Sequence, residues 1–449
     1  MEIDAISFAI WTGFRVENLT ETATVSALLW SQTCARVRSR GAGMSRSHPN
    51  PVTRRRVFYI PGYDPIHPRR YRELYRKEGA AQAEISGYEI ALTPAAKAEH
   101  FGWQVDARMD GRPVRADVEV LVWSDIVRDS MEATIPGTYL QLVRTAWIYI
   151  ASGALRRLMR LRKGPVIAAL YPVGMLLGQA LLALALWYAC WRIGGMFGPG
   201  GAFAGAVLGT VGFVALLRWF KAKDGKFFAY YLMHDYAYSA ASNGANPPAL
   251  EERMRAFQDS IAAALEDNVD EVLVVGHSSG AHLAVSILAD LIRAGRVPAD
   301  GPALAFLSLG QVVPMVSFLP DAHRLRADLQ YLSARHELTW VDVTAPGDGC
   351  AFALCDPVSV SGVAPENKRW PLVFSAAFTQ SLSPERWKEL RWRFFRLHFQ
   401  YLCAFDRPRD YDYFQITAGP LTLADRYADR PPSKSRIDVA VSKYTSVAA

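Results

Sequence analysis

The sequence predicts an α/β protein: a mostly parallel sheet flanked by helices, with an apolar two-helix hairpin inserted into it. Three observations carry that expectation. Short β-branched and aliphatic runs alternate with segments whose apolar residues recur at helical spacing, the pattern of strand–helix–strand crossovers. One such run, VLVV at 272–275, leads directly into GHSSG and then into an Ala- and Leu-rich helical stretch at 281–291. Finally, two long apolar segments, 166–190 and 202–220, interrupt the alternation with no charge before Arg218.

The early strand signals fall at 57–60, 87–92, 103–108 and 116–123. Asp110-Gly111 between the last two is a strong hairpin turn, so the N-terminal edge of the sheet is expected to be antiparallel. Residues 126–161 read as helical, and so do 226–240 and 250–268 after the apolar block. Beyond the strand at 272–275 come strands at 303–310, 337–343 and 371–378, alternating with helices such as 321–335 and 384–402. No internal repeat is evident. The organisation read from this is a poorly ordered 1–52, a first half-domain at 53–163, the hairpin at 164–222, a second half-domain at 223–430 and a loose tail at 431–449. The N-terminus begins acidic and lacks the pattern of a secretory signal, and Met44 offers an alternative start.

Composition excludes some classes. At 449 residues the chain is long enough for one large domain with an insertion. The mildly basic balance, a net charge of +7, is not the strong patch expected of a nucleic-acid binder. Cys34, Cys190, Cys350, Cys355 and Cys403 show neither C-x-x-C nor metal-ligand spacing, which fits a reducing compartment without a disulfide framework.

The segment 166–190 has one strongly polar side chain, Gln179, and its 25 residues suffice to cross a hydrocarbon core of about 30 Å. Gly201, Gly205 and Gly209 line one face of the second segment and permit close approach of another helix, within the chain or in an oligomer. Trp187, Tyr188, Trp191, Trp219 and Phe220 sit near the segment ends, as interfacial aromatics do. Arg156, Arg157, Arg160, Arg162 and Lys163 precede the block, and Arg218, Lys221, Lys223 and Lys226 close it. The connecting turn carries only Arg192, so both flanks are expected on the cytoplasmic side, with the lipid bilayer as partner of residues 166–220.

Gly276-His277-Ser278-Ser279-Gly280 is a G-x-S-x-G between a strand and a helix. Its glycines allow a sharp turn that exposes the Ser278 hydroxyl, and the following helix N-terminus offers N–H groups to a developing negative charge. In this strand–elbow–helix context the chain resembles the α/β-hydrolase fold, over most of its length outside the first fifty residues and the apolar block. The resemblance implies a serine nucleophile, then an acid, then a histidine in chain order. His398 is the histidine that lies beyond the acid candidates. Asp348, in the Pro-Gly turn after the strand at 337–343, is the preferred acid, with Asp342 inside that strand in reserve and Glu337 and Asp356 as weaker alternatives. The oxyanion donors implied are the N–H groups of Ser279 and of Tyr63, with Gly62 permitting close approach. The family often has His-Gly at that turn, and Pro61-Gly62 departs from it. Asp64 and His67 are read as loop supports. Residues 312–319 and 394–405 are apolar enough to line an acyl pocket or to be core.

The activity this implies is a membrane-anchored serine hydrolase, esterase- or lipase-like, cleaving an ester or thioester of lipidic character through a Ser-His-Asp triad and an acyl-enzyme. It needs no metal or organic cofactor. A non-catalytic membrane scaffold and an acyltransferase with the same triad are the alternatives.

Overall fold

Eight strands, β1 (Arg54–Ile60), β2 (Glu89–Pro94), β3 (Phe101–Met109), β4 (Arg112–Val120), β5 (Glu271–His277), β6 (Ala303–Leu309), β7 (Leu338–Thr344) and β8 (Leu372–Ser375), form one sheet. The computed structural model describes residues 51–94, 100–131 and 134–448. The spatial order is β2-β3-β4-β1-β5-β6-β7-β8. Pairing is parallel from β4 through β1 and β5 to β8, and β3 alone runs antiparallel to its neighbours. The expected antiparallel edge is therefore present. Its Asp110-Gly111 turn has positive φ at both residues, 52° and 74°, which matches the twist of a two-residue hairpin.

Burial follows the strand positions. Every residue of β5 is buried, as a central strand covered on both faces requires, whereas β2 at the edge is largely exposed. Alternate side chains feed two cores. Val57, Tyr59, Leu273, Val275, Leu307 and Val341 point to one, and Phe58, Ile60, Val272, Val274, Phe306 and Trp340 to the other.

Six helices matter for the site: α1 (Ile135–Ala151), α2 (Lys163–Gly195), α3 (Pro199–Ala222), α4 (Ala229–Ala240), α5 (Pro248–Leu265) and α6 (Gly280–Arg293). The α2–α3 pair lies between β4 and β5 in the chain, where the apolar block was expected. Both helices are long and apolar enough to cross a membrane. At 33 residues α2 is about 50 Å long, more than one bilayer core requires. Its first part is packed on the protein instead: Leu176 is buried with Leu142 and Met233, and Tyr139 Oη donates to the Leu176 carbonyl at 2.8 Å.

Three expectations change. The glycine face of α3 is occupied by α2: a Cβ on Gly201 or Gly205 would collide with the carbonyl oxygens of Gly194 and Cys190, and one on Gly209 would lie 2.9 Å from that of Trp187. That face closes the hairpin and is not available to an oligomer partner. The helix expected at 384–402 is three short pieces, Pro384–Leu390, Phe394–His398 and a 3-10 turn Gln400–Leu402. Leu397, His398, Gln400, Tyr401 and Leu402 are all buried, more than one face of a regular helix can cover. The segment from 431, expected as a loose tail, is tied down. Ile437 N–H donates to Leu354 O at 2.7 Å, Asp356 N–H to Ile437 O at 2.9 Å, and Arg326 Nε to Ser446 O at 2.8 Å. The expectation for 1–52 falls outside the described residues except at 51 and 52, where Val52 is buried and donates to Pro420 O at 3.0 Å.

A buried ion pair joins β1 to β5. Arg55 Nε meets Glu271 Oε2 at 2.6 Å, and the guanidinium also donates to the carbonyls of Gly419 and Leu421 at 2.8 and 2.6 Å. Both side chains are out of water, so removing one strands the other. Glu271→Ala is expected to lower stability by about 3–5 kcal/mol, measured by chemical denaturation of the detergent-solubilised protein.

Candidate active site

Four loops meet at the C-terminal ends of β1, β5, β6 and β7. From β1 the chain proceeds to β4 on one side, while β5 lies on the other, so the loops after β1 and β5 diverge across a crevice of the kind that binds ligands in open α/β sheets. Ser278 leaves β5 on the rim of that crevice. Its φ is +56°, left-handed for a residue with a Cβ, a strained conformation that surrounding contacts must hold. They do: Ser278 N–H donates to Leu309 O at 2.9 Å, and Gly280 abuts the Ile60 carbonyl so closely that no Cβ fits. Gly62 presses on the serine from the β1 loop, where a Cβ would lie 2.9 Å from Ser278 Cβ and 3.3 Å from its Oγ. Any side chain at 62 would crowd the hydroxyl.

Asp348 and His398 meet, although 50 residues separate them. His398 Nδ1 and Asp348 Oδ2 lie 2.7 Å apart in a buried setting. Asp348 is fixed by its own turn, accepting from Cys350 N–H at 2.9 Å, and by Tyr401, whose hydroxyl donates to Oδ2 at 3.0 Å while accepting from Ala345 N–H at 2.9 Å. Burial, reinforced by the Asp348 charge, raises the Tyr401 phenol well above its ordinary range, so it stays a donor. His277 holds the histidine's backbone: its Nε2 lies 3.0 Å from the His398 carbonyl, which can only accept. Burial, then the neighbouring His398, pushes His277 well below the ordinary imidazole range, so it acts as a neutral Nε2–H donor.

Ser278 Oγ and His398 Nε2 make no hydrogen bond among the described residues, yet both groups close on the same β6 loop. Ser278 N–H is bonded to Leu309, and His398 Cε1 would lie 3.0 Å from a Cβ on the next residue, Gly310. The His277 and His398 ring centroids are 4.8 Å apart. The N–H groups of Tyr63 and Ser279 have no partner among the described residues, and both residues line one cavity.

The other acid candidates are committed elsewhere. Asp342 Oδ1 accepts from Ser308 Oγ at 2.6 Å inside the sheet, and burial raises its carboxyl to about 8. Glu337 pairs with Arg335. Asp356 caps the turn at Pro357–Val360 and binds Lys368 Nζ at 2.6 Å. Asp64 and His67 brace the β1 loop as expected: Asp64 accepts from Ile66 N–H at 3.0 Å and pairs with Arg70 at 3.0 Å, and His67 Nδ1 accepts from Arg69 N–H at 3.2 Å. Residues 312–319 are mostly core, and only Val316 reaches the cavity.

Donor atoms of Asp348, Cys350 and His398 lie within 4.8 Å of one another, a spacing that could hold a metal ion. Burial and the nearby carboxylates of Asp348 and Asp235 raise the Cys350 thiol well above its ordinary range, which disfavours the thiolate a metal needs. Sequence reasoning missed Tyr401, His277 and Asp235. The first two had a faint signal, an aromatic and a histidine beside predicted catalytic residues, whereas Asp235 sits in a helix with no motif.

Comparison with protein-family models, with curated proteins and with solved structures finds no match to this chain.

Asp348→Asn is expected to change the His398 tautomer, because an amide can donate to Nδ1 where the carboxylate only accepts, while Asp342→Asn leaves it as in wild type; the imidazole nitrogen chemical shifts by NMR check this. The two differ in stability as well. Folding raises the Asp342 carboxyl from 3.8 to about 8, so between those values the native state holds a proton that the unfolded chain releases, and stability falls as pH rises. Asparagine does not ionise, so thermal melts should show Asp342→Asn gaining on wild type from pH 5 to pH 8.

Proposed function

We propose that this chain is a serine hydrolase of the α/β-hydrolase type, anchored in a membrane by its apolar hairpin. The observation that carries the proposal is the convergence on the loop after β6: a strained, glycine-flanked serine at the end of β5 bonds Leu309 through its N–H, and the buried His398–Asp348 pair abuts the adjacent Gly310.

The chemistry is acyl transfer to water. Ser278 Oγ attacks the carbonyl carbon of an ester or thioester while His398 Nε2 takes its proton. The tetrahedral oxyanion is held by the N–H groups of Ser279 and Tyr63. Collapse breaks the bond to the leaving group, which receives the proton from His398. A water then attacks the acyl-enzyme with His398 again as base, releasing the acid and restoring the serine. Asp348 keeps the imidazole in the Nδ1–H tautomer and stabilises the imidazolium.

The apolar surface of α2 and α3 supports a lipidic substrate and a bilayer partner: Leu181, Leu208 and Val211 stand more than half exposed, as lipid-facing side chains do. The basic flanks and the turn with Arg192 alone support a cytoplasmic catalytic domain. Two helices return the chain to the side it left, as one sheet built from both halves demands.

A fluorophosphonate probe is expected to label the wild-type protein in detergent or nanodiscs, with the adduct mapped to Ser278 by mass spectrometry. Ser278→Ala should abolish labelling, and His398→Ala should slow it by about 10³-fold or more. Folded wild-type protein that resists the probe would turn the reading toward a scaffold. Membrane attachment is checked separately: carbonate extraction should leave the chain in the pellet.

A further inference from the structure

A small cavity opens beside Ser279, and its polar lining does not balance. Tyr63, Trp123, Asp235, Tyr238, His282 and Val316 are among its walls. Its water-sized interior is about 20 Å³, room for one or two waters or a small polar head group. The Tyr63, Trp123 and Tyr238 rings lie mutually close, with centroids 5.6–6.1 Å apart.

Most polar atoms of these walls are spent elsewhere. Tyr63 Oη is 2.7 Å from Ser130 Oγ, and Trp123 Nε1 donates to Pro61 O at 3.0 Å. Two groups are not spent. Tyr238 Oη is buried without a partner. The carboxyl of Asp235, on α4, has no hydrogen bond or ion pair among the described residues. Burial raises that carboxyl to about 7, with His398 the one neighbour that pulls it down. His282 cannot serve as its counter-ion, because burial pushes its imidazole down to about 4 and keeps it neutral.

A carboxyl, a phenol oxygen and three aromatic rings around a water-sized space call for a compact cation that donates hydrogen bonds. A primary ammonium has three donors and no acceptor, and it is close to water in size. An anion would be repelled by the ionised Asp235 carboxylate, and a primary ammonium fits the water-sized space more closely than a trimethylammonium group. Because Ser279 also lines the cavity, a head group bound there sits within a few bonds of a carbonyl held at Ser278.

We propose that this cavity is a recognition subsite for a primary ammonium group, carried a few bonds from the scissile ester and held by Asp235. The inference rests on the hydrolase reading and adds the substrate class: amino-bearing esters, with the amine on either the acyl or the alcohol side. Asp235 belongs to the helix that follows the membrane hairpin, so the subsite is assembled where the hairpin joins the catalytic domain.

The test compares isosteric ester pairs by kcat/KM. On the acyl side these are the phenyl esters of β-alanine and butyric acid. On the alcohol side they are 2-aminoethyl octanoate and propyl octanoate, with choline octanoate as a size control. Wild type is expected to prefer the ammonium member of at least one pair by about tenfold or more, the scale of a hydrogen-bonded ion pair, and the pair showing it identifies the side. Choline octanoate should lose that preference. In Asp235→Asn the ratio within the pair should fall toward unity, a within-protein comparison that a general loss of activity does not move. A wild-type ratio near one in both pairs, or a preference that survives in Asp235→Asn, overturns the subsite whatever the variant's stability. If no ester turns over and the fluorophosphonate fails to label Ser278, it is the hydrolase reading that has failed.

Discussion

The parallel ladder from β1 through β5 and β6 to β7 is the constraint on which the rest depends. Parallel pairing brings the C-terminal ends of four strands to one edge, although they are scattered over almost three hundred residues of chain. The loops at 61–63, 278–280, 309–310 and 345–350 then have no choice but to meet. The buried pairing of Arg55 with Glu271 ties the two strands that bracket the crevice, at the end of the sheet opposite Ser278. A polar lock of this kind is costly in desolvation and is satisfied by four hydrogen bonds, so it holds the register of β1 against β5 and contributes less to net stability.

Strain and support are balanced at the edge. Ser278 adopts a backbone conformation that an isolated chain would avoid, and its neighbours over-determine it: a glycine on each side, a strand end below, a loop glycine above. The opposite wall is a chain of fixed groups. Ala345 N–H orders the Tyr401 hydroxyl, Tyr401 orders Asp348, and Asp348 orders His398, whose carbonyl is held by His277. Each link fixes a rotamer of the next. The break in the helix expected at 384–402 serves burial: Leu397, His398, Gln400, Tyr401 and Leu402 are all covered, more than one face of a regular helix can hide.

The apolar hairpin is built on a different economy. Its two helices approach along Gly201, Gly205 and Gly209, close enough that backbone meets backbone, which leaves the large side chains pointing outward. In water that surface would be a liability; against acyl chains it is the natural outside. The same helix, α2, extends past the length a bilayer needs and packs its first turns on α1 and α4. The helix carrying Asp235 is thereby coupled to the apolar hairpin.

The sequence by itself determined what is local. Alternation gave the α/β class, the apolar lengths gave the hairpin, the Asp-Gly pair gave the antiparallel edge, and G-x-S-x-G between a strand and a helix picked out Ser278. Chain order was enough to favour His398, and turn position enough to favour Asp348 over Asp342. What tertiary structure decided is everything set by proximity. It chose between the two aspartates, because Asp342 points into the sheet and bonds Ser308 while Asp348 faces the imidazole. It spent the glycine face inside the hairpin, pinned a terminal segment whose composition suggested a free tail, and brought Tyr401, His277 and Asp235 to the site. None of these follows from spacing or periodicity, since each depends on which distant backbone lies across from a side chain, and only the closed sheet fixes that.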